Sequence, residues 1–180
     1  MACDLTLGRG ISCKDVIGGI DAIFFINYDD ITTYVYDATN TDVIESLSGA
    51  GTVTAYKYDV KGSSALEQTV TSDRTAGTSF VSQSLTVSLT KQDLATHKQV
   101  KLMTFGRPRI IIKDRNGNYF FCGLDWGCEV TSGTISTGAA IGDMSGYTLT
   151  LVAEEKIPAN FMEATTDAGL ATAGLTVVTG

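Results

Sequence analysis

Apolar and polar residues alternate with a period of two along most of this chain, which predicts strands packed on one face and wet on the other. Residues 80–89 show it best: Val81, Leu85, Val87 and Leu89 fall on one side, serines and Thr86 on the other. Residues 23–28 are apolar on both sides, from Ile23 to Tyr28, so they belong at the centre of a sheet. Asp29 and Asp30 stop that strand. Further strands are predicted at 32–36, 43–47, 53–60 and 67–71, followed by a polar loop over 72–78. Others fall at 109–113, 119–122 and 147–153, with 124–130 a strand or a turn into one. Between two of these, Asn116-Gly117 marks a hairpin turn within residues 114–118, because that pair readily takes positive φ.

One segment breaks the period. Thr90 is placed to cap a helix, with Asp93 as the acid in its first turn. Leu94, Val100 and Met103 suit one helical face, and Gly106 and Pro108 close the segment. The prediction is a mainly β chain, a β-sandwich or small barrel, with one short α-helix at about residues 91–104. Residues 1–162 form the sandwich domain with an N-terminal arm. Residues 163–180, small and polar, are expected to be a flexible or partner-bound C-terminal arm. Gly133, Gly138, Gly142 and Gly146 suggest a flexible loop leading into the strand at 147–153.

Composition narrows the function. The chain has 180 residues, 43% hydrophobic and 18% charged, enough apolar surface for a core. Its net charge of −7 argues against gripping nucleic acid by phosphates and allows a surface that repels DNA. Met1-Ala2-Cys3-Asp4 has neither a basic stretch nor an apolar one, so export is not expected. Residues 22–26 form the longest apolar run, far short of a membrane span. The spacing of Cys3, Cys13, Cys122 and Cys128 favours free thiols over disulfides or a metal site.

Groups for chemistry are few. His97 is the one histidine and sits beside Lys98 on the predicted helix, where a solvated surface residue is expected. No nucleophile elbow or phosphate-binding glycine loop is present. Asp29-Asp30 and Glu154-Glu155 are paired acids, but neighbours on a strand point to opposite faces. Trp126 is read as a core or interface anchor. Neither catalysis nor a cofactor is expected.

A family likeness enters here. Residues 107–114 (Arg107-Pro108-Arg109-Ile110-Ile111-Ile112-Lys113-Asp114), Asn116-Gly117-Asn118-Tyr119 and Gly127-Cys128-Glu129-Val130-Thr131-Ser132-Gly133 carry part of it. Gly123, Thr137-Gly138, Gly142-Asp143, Ser145-Gly146-Tyr147-Thr148-Leu149-Thr150-Leu151 and Glu154-Glu155-Lys156-Ile157-Pro158-Ala159 carry the rest. These resemble bacteriophage tail-tube and tail-neck ring proteins. Met1 to Thr6 with Gly18-Gly19-Ile20 is similar to virion proteins of phages of gut Bacteroidales, the crAss-like group among them.

The likeness implies a sandwich or barrel flanked by one helix, made in a host bacterial cytoplasm and built into a virion tail or neck. Its inner sheets would join into a homo-oligomeric ring, a hexamer or dodecamer, that meets other tail or neck proteins. DNA would pass without specific binding, and no membrane is involved. Gly133, Gly138, Gly142, Asp143 and Gly146 then become a candidate inter-subunit loop, and Glu154 and Glu155 candidate lumen or surface acids. Two other expectations stand beside it: a head decoration or cargo protein, and a carbohydrate-binding sandwich using Tyr34, Tyr36, Tyr56 and Tyr58.

Overall fold

The doubly apolar segment becomes β1 (Ile20–Ile26), in which every residue except Asp21 is buried. The structure, a computed structural model, describes residues 7–10, 13–60 and 63–180. Met1 to Thr6 and Cys3, which carried part of the family likeness and the proposed arm, lie outside the described residues. β1 pairs antiparallel with β4 (Val53–Asp59) on one side and β7 (Arg109–Asp114) on the other. Beyond β7 come β8 (Tyr119–Cys122), β11 (Asn160–Met162), β3 (Val43–Ser48) and β2 (Thr33–Tyr36). β12 (Leu175–Thr179) lies outside β4 and completes a sheet of eight strands. The second sheet has four strands, in the order β5 (Ala65–Asp73), β6 (Thr78–Thr90), β10 (Gly146–Glu155) and β9 (Glu129–Ser136). The fold is a β-sandwich.

Alternation in β1 and β7 divides the interior into two cores. Ile23, Phe25, Ile110 and Ile112 face the four-stranded sheet, meeting Leu85, Val87, Leu149 and Leu151. Ala22, Phe24, Ile26 and Ile111 point the other way, into a core with Ile44, Leu47, Phe121, Leu170 and Leu175. The large sheet encloses this second core by curling. The Leu47 backbone N–H donates to the Ala173 carbonyl at 2.8 Å, tying β3 to the segment that enters β12. Gly174 makes this approach possible: its φ is +94°, and a Cβ there would stand 2.3 Å from the Leu47 carbonyl oxygen.

Residues 163–180 are therefore not a free arm. They form α2 (Asp167–Thr172) and β12, which pairs in parallel with β4. Leu170 and Leu175 are buried, so the tail contributes to the core despite its polar composition. Asp167 fastens α2 to the sheet. Its carboxylate accepts from Lys57 at 2.8 Å, Lys113 at 3.0 Å and the Tyr119 hydroxyl at 2.5 Å.

The main helix, α1 (Leu94–Phe105), starts later than expected. Asp93 is its N-cap: the carboxylate accepts from the Thr96 N–H and the Thr96 hydroxyl, each at 2.7 Å. Lys91 has a φ of +68°, which turns the chain between β6 and the helix and keeps Thr90 in the strand. Val100 and Met103 pack α1 onto the core beneath the small sheet. The 114–118 hairpin forms as predicted, with the Asp114 carboxylate accepting from the N–H groups of Asn116 and Asn118.

Candidate assembly surface

The four-stranded sheet presents one face to the core and one to solvent. Its inward row includes Val81, Leu85, Val87, Leu149 and Leu151. Its outward rows are Ser82, Ser84, Thr86 and Ser88 on β6, facing Glu154, Val152, Thr150 and Thr148 on β10. Thr69 and Glu67 extend that face on β5, Ser132 and Thr134 on β9. None of the chain's 13 lysines and arginines lies in these four strands, whereas Glu67, Asp73, Glu129, Glu154 and Glu155 do. The face is a carpet of hydroxyls edged with acids.

Both borders of this sheet are open among the described residues. β5 and β9 each pair on one side only. The three ladders are all antiparallel, so β5 and β9 run in opposite directions. β5 and β6 also outreach their neighbours. β10 ends opposite Val81, and beyond it residues 71–80 pair only with each other, exposed on both faces. Phe80 in this projecting hairpin and Val70 at its base are apolar residues that solvent reaches. β5 carries neither Lys nor Pro, the usual guards of a free edge.

The glycine-rich segment divides. Gly133 lies within β9, where a Cβ would come 2.8 Å from the Leu149 side chain. Gly146 opens β10, where a Cβ would come 2.1 Å from the Leu89 carbonyl. Both are glycines because strands pack closely, not because the chain is slack. Only residues 137–145 form the connection, and it has internal order. The Asp143 carboxylate accepts from the N–H groups of Ala139 and Ala140 at 3.0 and 2.8 Å. These bonds hold its carboxyl below the usual carboxylate range. Gly138 has a φ of +74°, and Gly142 faces open space. Ile141 is fully exposed at the tip.

The two candidate acids separate as strand alternation requires. Glu154 is exposed on the hydroxyl face. Glu155 is buried and is not a lumen or surface acid. Its carboxylate accepts from the N–H groups of Asp125 and Trp126, each at 3.0 Å. Burial pushes its pKa up, against these hydrogen bonds, which pull it down. Glu155 thereby anchors the turn over residues 123–127, and Arg107 donates to the Trp126 carbonyl at 2.7 Å. The Trp126 ring stays partly exposed beside the Lys156 ammonium, 5.4 Å from its centroid. A groove of about 620 Å³ opens there, lined by Trp126, Phe80, Val152, Glu154, Lys156 and Arg107. Sequence reasoning named Trp126 as an anchor but found neither the groove nor the projecting hairpin. The lack of basic residues in β5, β6, β9 and β10 was a signal available to it.

The remaining candidates lie apart. The Cys128 thiol donates to Cys122 Sγ across 3.6 Å; both are free and buried, and this bond together with burial pushes the Cys128 pKa up. Cys13 is free and exposed. His97 is exposed on α1. The four tyrosines make no single platform. Tyr34 and Tyr36 on β2 pack edge to face, and burial with a hydrogen bond to Asp125 moves the Tyr34 pKa up to about 12. Tyr58 on β4 packs edge-on against Phe25, and five strands separate β4 from β2 in the sheet order. Among the described residues, no three His, Cys, Asp or Glu side chains are grouped to hold a metal ion. No helix among them is long and apolar enough to cross a membrane. No protein-family model, curated protein or solved structure matched the chain.

Proposed function

We propose that this protein is a structural subunit that joins copies of itself into a ring around a DNA passage, as in the phage tail-tube and neck-ring proteins its sequence resembles. One observation carries the reading: a four-stranded sheet open at both borders, whose strands hold acids and hydroxyls but no cation. Opposite strand directions at the two borders let β9 of one copy lie antiparallel to β5 of the next. The same pairing repeats from copy to copy, so the contact is head to tail and closes into a ring when the rotation per copy allows. Each join supplies partners to backbone groups that otherwise bond only water.

With the hydroxyl face turned inward, the four strands that line the passage carry no cation for phosphates to bind. Retention of DNA requires cations that displace its counterions. Glu67 and Glu154 instead repel it, and the hydroxyls stay hydrated. Other tail or neck proteins would meet the ends of such a ring. Electron microscopy with light scattering over a wide concentration range tests the reading. Annular or tubular particles are the expected result. A monodisperse monomer at every concentration, without rings, overturns it.

A further inference from the structure

Two thiols lie against each other where the chain crosses between the sheets. Cys122 closes β8 and Cys128 stands just before β9, so the turn over residues 123–127 leads from the large sheet to the small one. Both cysteines are fixed to the same neighbouring segment. Cys122 pairs with Ile110, and the Cys128 N–H donates to the Pro108 carbonyl at 2.8 Å. Gly123 and Gly127 let the turn fold tightly: their φ values are +69° and +75°, and a Cβ on Gly123 would stand 2.8 Å from Cys128 Sγ. The two sulfurs end 3.6 Å apart. A disulfide needs about 2.05 Å, a closure of about 1.5 Å within reach of rotation about the two Cα–Cβ bonds.

The turn also caps the pair. Glu155 holds the Asp125 and Trp126 N–H groups, and Gln83 Oε1 accepts from the Gly123 N–H at 3.1 Å. With the turn closed, both cysteines are fully buried, and the bond to Cys122 together with burial pushes the Cys128 pKa up. The thiolate is the attacking form, so exchange begins when the turn opens. We propose that Cys122 and Cys128 are a modification site, a dithiol that small disulfides of the glutathione class convert to an intramolecular disulfide stapling the two sheets beside Trp126. One thiolate attacks a sulfur of the small disulfide, releasing one small thiol and leaving a mixed disulfide. The other thiolate attacks the protein sulfur of that bond and expels the second small thiol. Two electrons pass to the small disulfide, and its two sulfurs take up the two protons that the cysteines lose. A reducing compartment keeps the pair as thiols and an oxidising one closes it. The loop closed is short, so the unfolded chain loses little freedom; the gain is local, in a turn that no longer opens.

Neither cysteine lies on the strand borders proposed to join copies, so the two readings are tested separately. The full chain with Cys3→Ser and Cys13→Ser keeps only this pair of its four cysteines. Brought to equilibrium in glutathione buffers from both the reduced and the oxidised side, it should lose two hydrogens, carry no glutathione and show a Cys122–Cys128 link by mass spectrometry. The folded chain should favour the link at least about tenfold over the same chain in urea, because folding holds the sulfurs side by side. Glu155→Gln, which weakens the hold on the turn, should speed formation at least about tenfold. A folded chain whose pair stays reduced in buffers that oxidise the unfolded chain overturns the proposal, as does a glutathione adduct that persists on either cysteine. A rate unchanged by Glu155→Gln overturns the turn as the gate.

Discussion

Glu155 Oε1 stands 3.0 Å from the backbone nitrogen of Trp126 and buries its charge to hold that turn in place. Removing the carboxylate strands two N–H groups, those of Asp125 and Trp126. Glu155→Ala should cost about 3 kcal/mol, a fall in Tm of about 6–12 °C for a chain of this size. Glu155→Gln, whose amide oxygen still accepts, should cost less. Thermal unfolding followed by Trp126 fluorescence checks both, and the alanine variant should also emit further to the red while folded.

Asp167 gives the fold an acid sensitivity. Partial burial raises its pKa, but the hydrogen bonds from Lys57, Tyr119 and Lys113 outweigh that and hold it well below the usual 3.8. A carboxyl lowered by folding stabilises above its unfolded pKa and loses that contribution as pH falls through the folded one. Asp167→Asn should therefore lower Tm at neutral pH, and the gap from wild type should narrow steadily below about pH 3.8. A gap that stays constant down to acid unfolding would contradict the assignment.

Two glycines should respond in opposite ways. Gly174→Ala places a Cβ 2.3 Å from the Leu47 carbonyl at a φ of +94°, where the curled sheet closes. It should cost at least about 2 kcal/mol. Gly142→Ala meets nothing within 4 Å and should stay within about 0.5 kcal/mol of wild type. Chemical denaturation midpoints compare the two.

The open border can be blocked without touching a core. Val70 is exposed on the β5 edge, so Val70→Lys should change stability by no more than about 0.5 kcal/mol. Rings should nevertheless be lost, because a lysine on an edge strand opposes pairing with another chain. Light scattering and circular dichroism on the same sample separate lost assembly from lost fold.

The hydroxyl face makes a prediction about DNA. Wild-type particles should not retain duplex DNA at low salt. The double substitution Glu67→Lys with Glu154→Lys puts cations on the outward rows and should create binding that falls steeply as salt rises. A filter-binding titration at two salt concentrations measures it.

Much of the sandwich was legible because burial on one side writes itself as alternation. β6 and β10 follow from Val81 to Leu89 and from Tyr147 to Ala153 directly, and β1 was central because both its faces are apolar. The same alternation already separated Glu154 from Glu155, though not the turn that Glu155 holds. β12 was hidden because its pairing partner, β4, lies more than 100 residues earlier, and Leu175 is its single buried apolar residue. The start of α1 was misplaced because Thr90 and Asp93 can both cap, and a positive φ at Lys91 has no mark in composition. Gly133 and Gly146 were taken as slack because a glycine needed for close approach looks the same in sequence as one needed for freedom.

The parallel placement of β12 against β4 has a mechanical side. Tension drawn along the chain past Thr179 pulls β12 lengthwise over β4, so the ladder from Leu175 to Thr179 resists as a unit in shear instead of unzipping rung by rung. Behind it, Lys57 and Lys113 hold Asp167 to β4 and β7. That side of the molecule therefore meets a lengthwise pull with five paired residues at once.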